Sequence, residues 1–136
     1  MQKGIQSRLS IHRILNSLKN NLNSYDELLR GEIKKNGFSN KDINLIQSIV
    51  LNSLRYDKHI KTILKKFIKK KINEDSYLLL LSAITQLLYL DFKDYAVVNS
   101  TVELAKNKKI KSFPGFINAV LKNIIINKDN LKQTTI

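Results

Sequence analysis

The stretch Asp75-Ser76-Tyr77-Leu78-Leu79-Leu80-Leu81-Ser82-Ala83-Ile84-Thr85-Gln86-Leu87-Leu88-Tyr89 decides the fold. At about 3.6 residues per helical turn, its apolar side chains occupy nearly the whole circumference. Only neighbours on every side can cover such a helix, so it reads as the buried centre of a bundle. Its unbroken apolar run, Tyr77 to Leu81, falls far short of the ~20 residues that span a bilayer. Gln86 interrupts the apolar surface and reads as a satisfied packing group, not as a ligand.

Working outward, the spacing predicts an all-α chain of about seven helices. The first runs from about Arg8 to Asn21, with Ile11, Leu15, Leu18 and Leu22 on one face. The second spans Tyr25 to Asn36, places Leu28, Leu29 and Ile33 inward, and ends at Gly37, a C-terminal cap residue. Ser39-Asn40-Lys41-Asp42 is a start signal. The Ser hydroxyl accepts from a free backbone N–H, and Asp42 opposes the positive end of the helix dipole. Ile43, Ile46, Val50 and Leu54 follow in register on the third helix. A fourth is expected from Lys58 to about Lys70, with Ile60, Ile63, Leu64 and Phe67 inward. The central helix comes next. The sixth is expected from Tyr95 to Asn107, with Val98, Val102 and Ala105 inward. Pro114 suits the first turn of a seventh, whose stripe is Phe116, Ile117, Val120, Leu121 and Ile124. The sequence reads as one domain over 1–127, then a polar, frayed tail or the start of a linker over 128–136.

The 136 residues carry 24 Lys and Arg against 11 Asp and Glu, a formal charge of +13. Lys, Ile and Asn are all abundant, which an A+T-rich coding sequence would also produce, so the distribution is the better test. Residues 1–24 carry +4, 25–57 zero, 58–72 +7, 73–104 −4 and 105–136 +6. Three basic blocks therefore surround an acidic one, a pattern that even drift does not give. Lys58, Lys61, Lys65 and Lys69 share one helix face, as a solvated surface or as a polyanion-binding ridge. Lys106, Lys108, Lys109 and Lys111 cluster in the loop before Pro114. Clustered Lys suits phosphate contacts, and Arg8 and Arg13 add forked donors that Lys lacks. Tyr25, Tyr56, Phe92 and Tyr95, near helix ends, are candidates for base stacking, with core packing as the commoner role.

Much chemistry is excluded. With no Cys there are no disulfides, thiolate metal sites or thiol nucleophiles. Two His, at 12 and 59, have no metal-ligand spacing, and His12 reads as a surface or boundary residue. The four Gly are too scattered to cradle a nucleotide phosphate. Asp26-Glu27 and Glu74-Asp75 are adjacent acids at helix starts, where they complement the dipole. No cofactor or metal is expected. Met1-Gln2-Lys3-Gly4 is not followed by a signal-peptide stretch, so the expectation is a cytoplasmic protein without a membrane partner.

From Ser39 onward the chain resembles the NusB family, and within it the N-terminal domain of RsmB-type ribosomal RNA methyltransferases. The residues that carry the likeness are Ser39-Asn40-Lys41-Asp42, Leu54-Arg55, Gln86-Leu87-Leu88-Tyr89, Ala96-Val97-Val98-Asn99, Thr101 to Lys106, and Gly115 to Lys122. Ser7 to Leu15 resembles the family's first helix more loosely. Two details resemble the RsmB branch: Gln86-Leu87-Leu88-Tyr89-Leu90, and Asn118-Ala119-Val120-Leu121-Lys122.

The resemblance implies a helical fold that binds RNA and proteins. Stand-alone NusB binds the boxA element of ribosomal RNA leaders together with the ribosomal protein NusE. In RsmB-type enzymes the domain precedes one that makes 5-methylcytosine in small-subunit ribosomal RNA. The implied partners are ribosomal RNA or its leader, and a ribosomal protein or a downstream methyltransferase domain. Arg8 best matches the family's N-terminal RNA contact, with Lys3 and Arg13 beside it. Asp42, Arg55, Gln86, Tyr89 and Asn118 read as structural motif residues, Asn118 by satisfying backbone groups between helices. Gln86 and Tyr89 are expected to lock the corner between the fifth and sixth helices. The chain itself is expected to be non-catalytic, since cytosine-5 methylation needs a Cys nucleophile and a methyl-donor site.

Overall fold

A computed structural model describes residues 3–20 and 23–133, with side chains from 4 to 132. Among these residues there are eight helices and no strand. They are α1 (Lys3–Lys19), α2 (Tyr25–Asn36), α3 (Asn40–Arg55), α4 (Asp57–Phe67), α5 (Glu74–Leu88), α6 (Asp94–Ala105), α7 (Pro114–Ile126) and α8 (Lys128–Gln133). Leu22, expected on the first helix's face, lies outside the described residues.

Every residue of α5 from Ser76 to Leu88 is buried. The helix packs against α1, α3, α4, α6, α7 and α8, which accounts for an apolar surface that has no solvent face. The two polar side chains deepest within it turn back on their own helix. Thr85 donates to the Leu81 carbonyl at 2.8 Å, and Gln86 Nε2 donates to the Ser82 carbonyl at 3.0 Å.

The helix starts obey their side chains. Ser39 and Asp42 form the reciprocal capping box. Ser24 accepts from the Glu27 N–H, and Asn73 from the Ser76 N–H at 2.9 Å. Gly37 closes α2 at φ 64°, a conformation that its missing Cβ permits.

Several expectations are corrected. Helix α1 begins at Lys3, not Arg8, because the small buried Ser7 and the half-buried Ile5, packed against the core, extend its inner face by a turn. On α3 the buried set is Ile46, Ile49, Val50 and Ser53, while Leu54 is exposed. On α6 it is Val97, Thr101, Leu104 and Ala105, a face turned by one residue from Val98 and Val102. Thr101 can go inside because its hydroxyl donates to the Val97 carbonyl at 2.7 Å. Helix α4 stops at Phe67, so Lys69 lies beyond it and the expected four-lysine ridge is broken.

Residues 128–133 form a short helix, not a frayed tail. Leu131 is buried, Lys128 pairs with Asp94 at 2.8 Å, and Lys132 pairs with Asp91 at 2.6 Å. Asp91 adopts φ 53°, and the following Phe92 N–H returns to the Gln86 carbonyl. The Lys132 ammonium holds the Asp91 carboxyl below its ordinary range.

Candidate nucleic-acid interface

The N-terminal end of α5 is where distant basic segments meet. Asn73 Nδ2 donates to the Lys111 carbonyl at 2.6 Å, and the Lys111 N–H donates to Asp75 Oδ2 at 2.9 Å. The Ser76 and Ser112 hydroxyls are 3.0 Å apart. These bonds fix the 106–113 loop against the 68–73 loop. Asp75 Oδ1 meets His12 Nε2 at 3.0 Å, so one carboxylate joins α1, α5 and the 106–113 loop. His12 is thus buried, not a boundary residue. Lys19, at the end of α1, reaches the same region: it pairs with Glu74 at 3.4 Å and lies 5.0 Å over the Tyr77 ring.

Two shallow grooves run along this end. One is lined by Lys61, Lys65 and Lys70 around Leu64, Ile68, Ile72 and Tyr77. The other is lined by Lys70, Lys71, Ile72, Asn73, Ser76, Phe113 and Phe116. They share Lys70 and Ile72, and the Lys70 ammonium sits 5.1 Å over the Phe116 ring. The neighbouring acids are engaged: Asp57 with Lys61 and the Tyr77 hydroxyl, Glu74 with Lys19, Asp75 as above. Burial, reinforced by Asp57, pushes the Tyr77 phenol far up, so it stays a neutral donor.

The sequence candidates divide between this end and others. Lys58, Lys61 and Lys65 project from α4 as exposed side chains, and Lys69 returns to the Lys65 carbonyl at 3.5 Å. Lys108 and Lys109 are exposed in the turn after α6, and Lys106 pairs loosely with Glu103 at 3.8 Å.

Arg8 is elsewhere. Its Nε and Nη2 both donate to Gln86 Oε1 at 3.3 Å, and burial lowers its pKa. Gln86 stands eleven residues along α5 from Asp75, about 16 Å at 1.5 Å per residue. Arg13 pairs with Glu32 at 3.4 Å, and Ser10 donates to the same carboxylate at 2.6 Å. The Lys3 side chain lies outside the described residues.

Among the motif residues, Asp42 completes the α3 capping box, and Arg55 lies 5.3 Å over Tyr56 in the last turn of α3. Gln86 and Tyr89 do not serve the expected corner with their side chains. Gln86 holds α1, and Tyr89 stacks on Tyr56 at the α3–α4 junction, with ring centroids 3.7 Å apart. Burial pushes the Tyr89 phenol up to about 12, helped by Tyr56. Asn118 lines a groove between α6 and α7 with Asn99 and Glu103, and makes no side-chain hydrogen bond among the described residues. It does not bridge backbone groups as expected.

Sequence reasoning missed Phe113, which is 74% exposed, and the contribution of Lys70 and Lys71. The signal for Phe113 was present. A large apolar residue directly before Pro114 is held extended and falls outside the seventh helix's stripe. Among the described residues no three His, Asp or Glu side chains cluster as metal ligands, and no helix is long and apolar enough to cross a membrane.

Fold and face together define a compact helical module with a lysine-rich surface that carries aromatic side chains. The chain belongs to the NusB family, whose model matches residues 5–125. A curated relative, the probable ribosomal RNA small subunit methyltransferase B of Coxiella burnetii (strain RSA 493 / Nine Mile phase I), is 32% identical over 98 residues. That match covers 70% of this chain and 23% of the relative, so the chain spans about a quarter of that protein's length. Among solved structures, a chain of the "Crystal Structure of a Plectonemic RNA Supercoil" has the same fold. Its TM-score is 0.80 at 19% identity, covering 93% of this chain and 96% of that one.

Proposed function

We propose that this chain is a non-catalytic RNA-binding domain that engages ribosomal RNA as the N-terminal part of an RsmB-like small-subunit methyltransferase. The observation that carries the RNA reading is the joining of two lysine blocks, 58–72 and 105–111, into one face whose neighbouring acids are already paired. Such a surface supplies phosphate affinity with a steep salt dependence and little sequence information. The likeness to the Coxiella burnetii methyltransferase supports the parent enzyme. In this reading the chemistry belongs to another part of that enzyme, because cytosine-5 methylation needs a Cys nucleophile and this chain has no Cys.

Lys58, Lys61, Lys65, Lys69, Lys106, Lys108 and Lys109 form the main phosphate surface in this reading. In this reading Lys3, Arg8 and Arg13 give a separate contact from α1, where Arg8 bonds Gln86 and Arg13 pairs with Glu32. Replacing Lys61, Lys65 and Lys69 by Glu, and titrating small-subunit ribosomal RNA fragments at two salt concentrations, tests it. Affinity and salt slope should both fall. Unchanged values would leave a protein-docking module without RNA binding.

A second reading, a stand-alone antitermination factor, is equally compatible with the family model, which matches residues 5–125. Tight boxA binding only in the presence of NusE would support it against the first. A reading frame that continues past Ile136 into a Pro-Cys-bearing domain would support the first.

A further inference from the structure

We propose that Phe113, flanked by Lys70 and Lys71, is a stacking platform for an unpaired RNA base, so that this face selects single-stranded over duplex RNA. The inference rests on the RNA-binding reading and names the form of RNA the face takes. Phe113 is 74% exposed and makes no ring or cation contact among the described residues, whereas its neighbour Phe116 is already covered by Lys70. Pro114 follows it directly and holds residue 113 extended, at φ −111° and ψ 111°, so its backbone direction is preset. Phe113 lines one groove with Lys70 and Lys71, which puts a flat π-face and two cationic side chains along the same groove. No carboxylate lines that groove.

Charge complementarity selects a polyanion, and the exposed ring selects among polyanions. A base can lie on Phe113 only if it is splayed out of a helix, and every base has a π-face to offer. A peptide of acidic residues alone would satisfy the lysines but has no aromatic face to place on the ring.

The chain contains no Trp, so Phe113→Trp installs a single fluorescent reporter at the platform. The probes are a short unstructured oligouridylate, a duplex RNA of matched length and an oligoglutamate peptide. The expected result is quenching of the Phe113→Trp emission by the oligouridylate and little by the duplex. Phe113→Ala should weaken oligouridylate binding at least about fivefold with its salt slope intact. Lys70→Glu with Lys71→Glu should lower that slope by about 1.4, the value for two lost contacts on a single strand. Phe113→Ala binding like the unaltered chain, or equal quenching by duplex, overturns the platform while leaving RNA binding in place. Quenching by oligoglutamate alone identifies a protein-docking face and overturns it as well. If the unaltered chain binds neither RNA, the parent reading falls with it.

Discussion

The contact between Arg8 and Gln86 decides whether the first helix is a free RNA arm or a tied part of the bundle. Replacing Gln86 with Met keeps the length of a buried side chain and removes its acceptor. The guanidinium then loses two donors' worth of bonding, each now 3.3 Å long. Hydrogen bonds to charged groups contribute about 1.5–3 kcal/mol, and the long geometry favours the lower figure. Gln86 also loses its amide bond to the Ser82 carbonyl, about 0.5–1 kcal/mol. Partial exposure lets Arg8 recover water, which offsets some of the total. A net loss of about 2–3 kcal/mol follows, which at this chain length lowers the Tm by about 6–12 °C. Arg8→Met should cost less, about 1–2 kcal/mol, because a neutral carbonyl oxygen is then left unpaired. The double variant should show a coupling of about 1.5 kcal/mol in a thermodynamic cycle. Urea and thermal unfolding followed by circular dichroism give all four corners. A Gln86→Met variant with unchanged Tm, or strictly additive costs, would refute the tie and return Arg8 to the solvent.

Three further outcomes follow from the packing and the caps. Leu79, fully buried in α5, should cost about 2–5 kcal/mol as Ala in equilibrium unfolding, by transfer and cavity terms. Asp75→Ala removes the acceptor shared by His12 and the Lys111 N–H; hydrogen exchange should quicken across residues 106–113 first, while the α5 amides stay protected. Tyr89 keeps its proton up to about pH 12 in the folded state, against about 10 when unfolded. The stability this gives is complete below about pH 10 and is lost as pH rises through 12. Ultraviolet titration of Tyr89→Phe should lack the step near 12, and a titration identical to the unaltered chain's would assign that step to another residue.

The central helix was legible because its sequence leaves no choice: fifteen residues without a polar face fit only the middle of a bundle. The capping box at Ser39 and Asp42, and Pro114 at the start of α7, were legible because their chemistry is local. The faces of α3 and α6 were misjudged by a turn or a residue. Periodicity there admits two neighbouring stripes, and packing against α5 chose Ile49 over Leu54 and Val97 over Val98. The basic blocks were countable in the sequence, but their meeting was not. It depends on bonds from Asn73 and Asp75 to Lys111, between segments some forty residues apart that no local pattern encodes. Gln86 was correctly read as a satisfied packing group, while its partner on α1 was invisible for the same reason.

Because the face carries more lysines than the acids beside it can pair, many of its like charges meet little internal compensation. Self-repulsion on that scale opposes the compact state, and any polyanion that lies across it relieves the repulsion. Folding and ligand occupancy are thereby thermodynamically linked: whatever binds only the folded chain raises its stability in proportion to the logarithm of free ligand over Kd. The melting temperature of this protein is therefore itself a binding signal. It should be lowest in dilute buffer, and it should climb with added polyanion before any contact has been mapped.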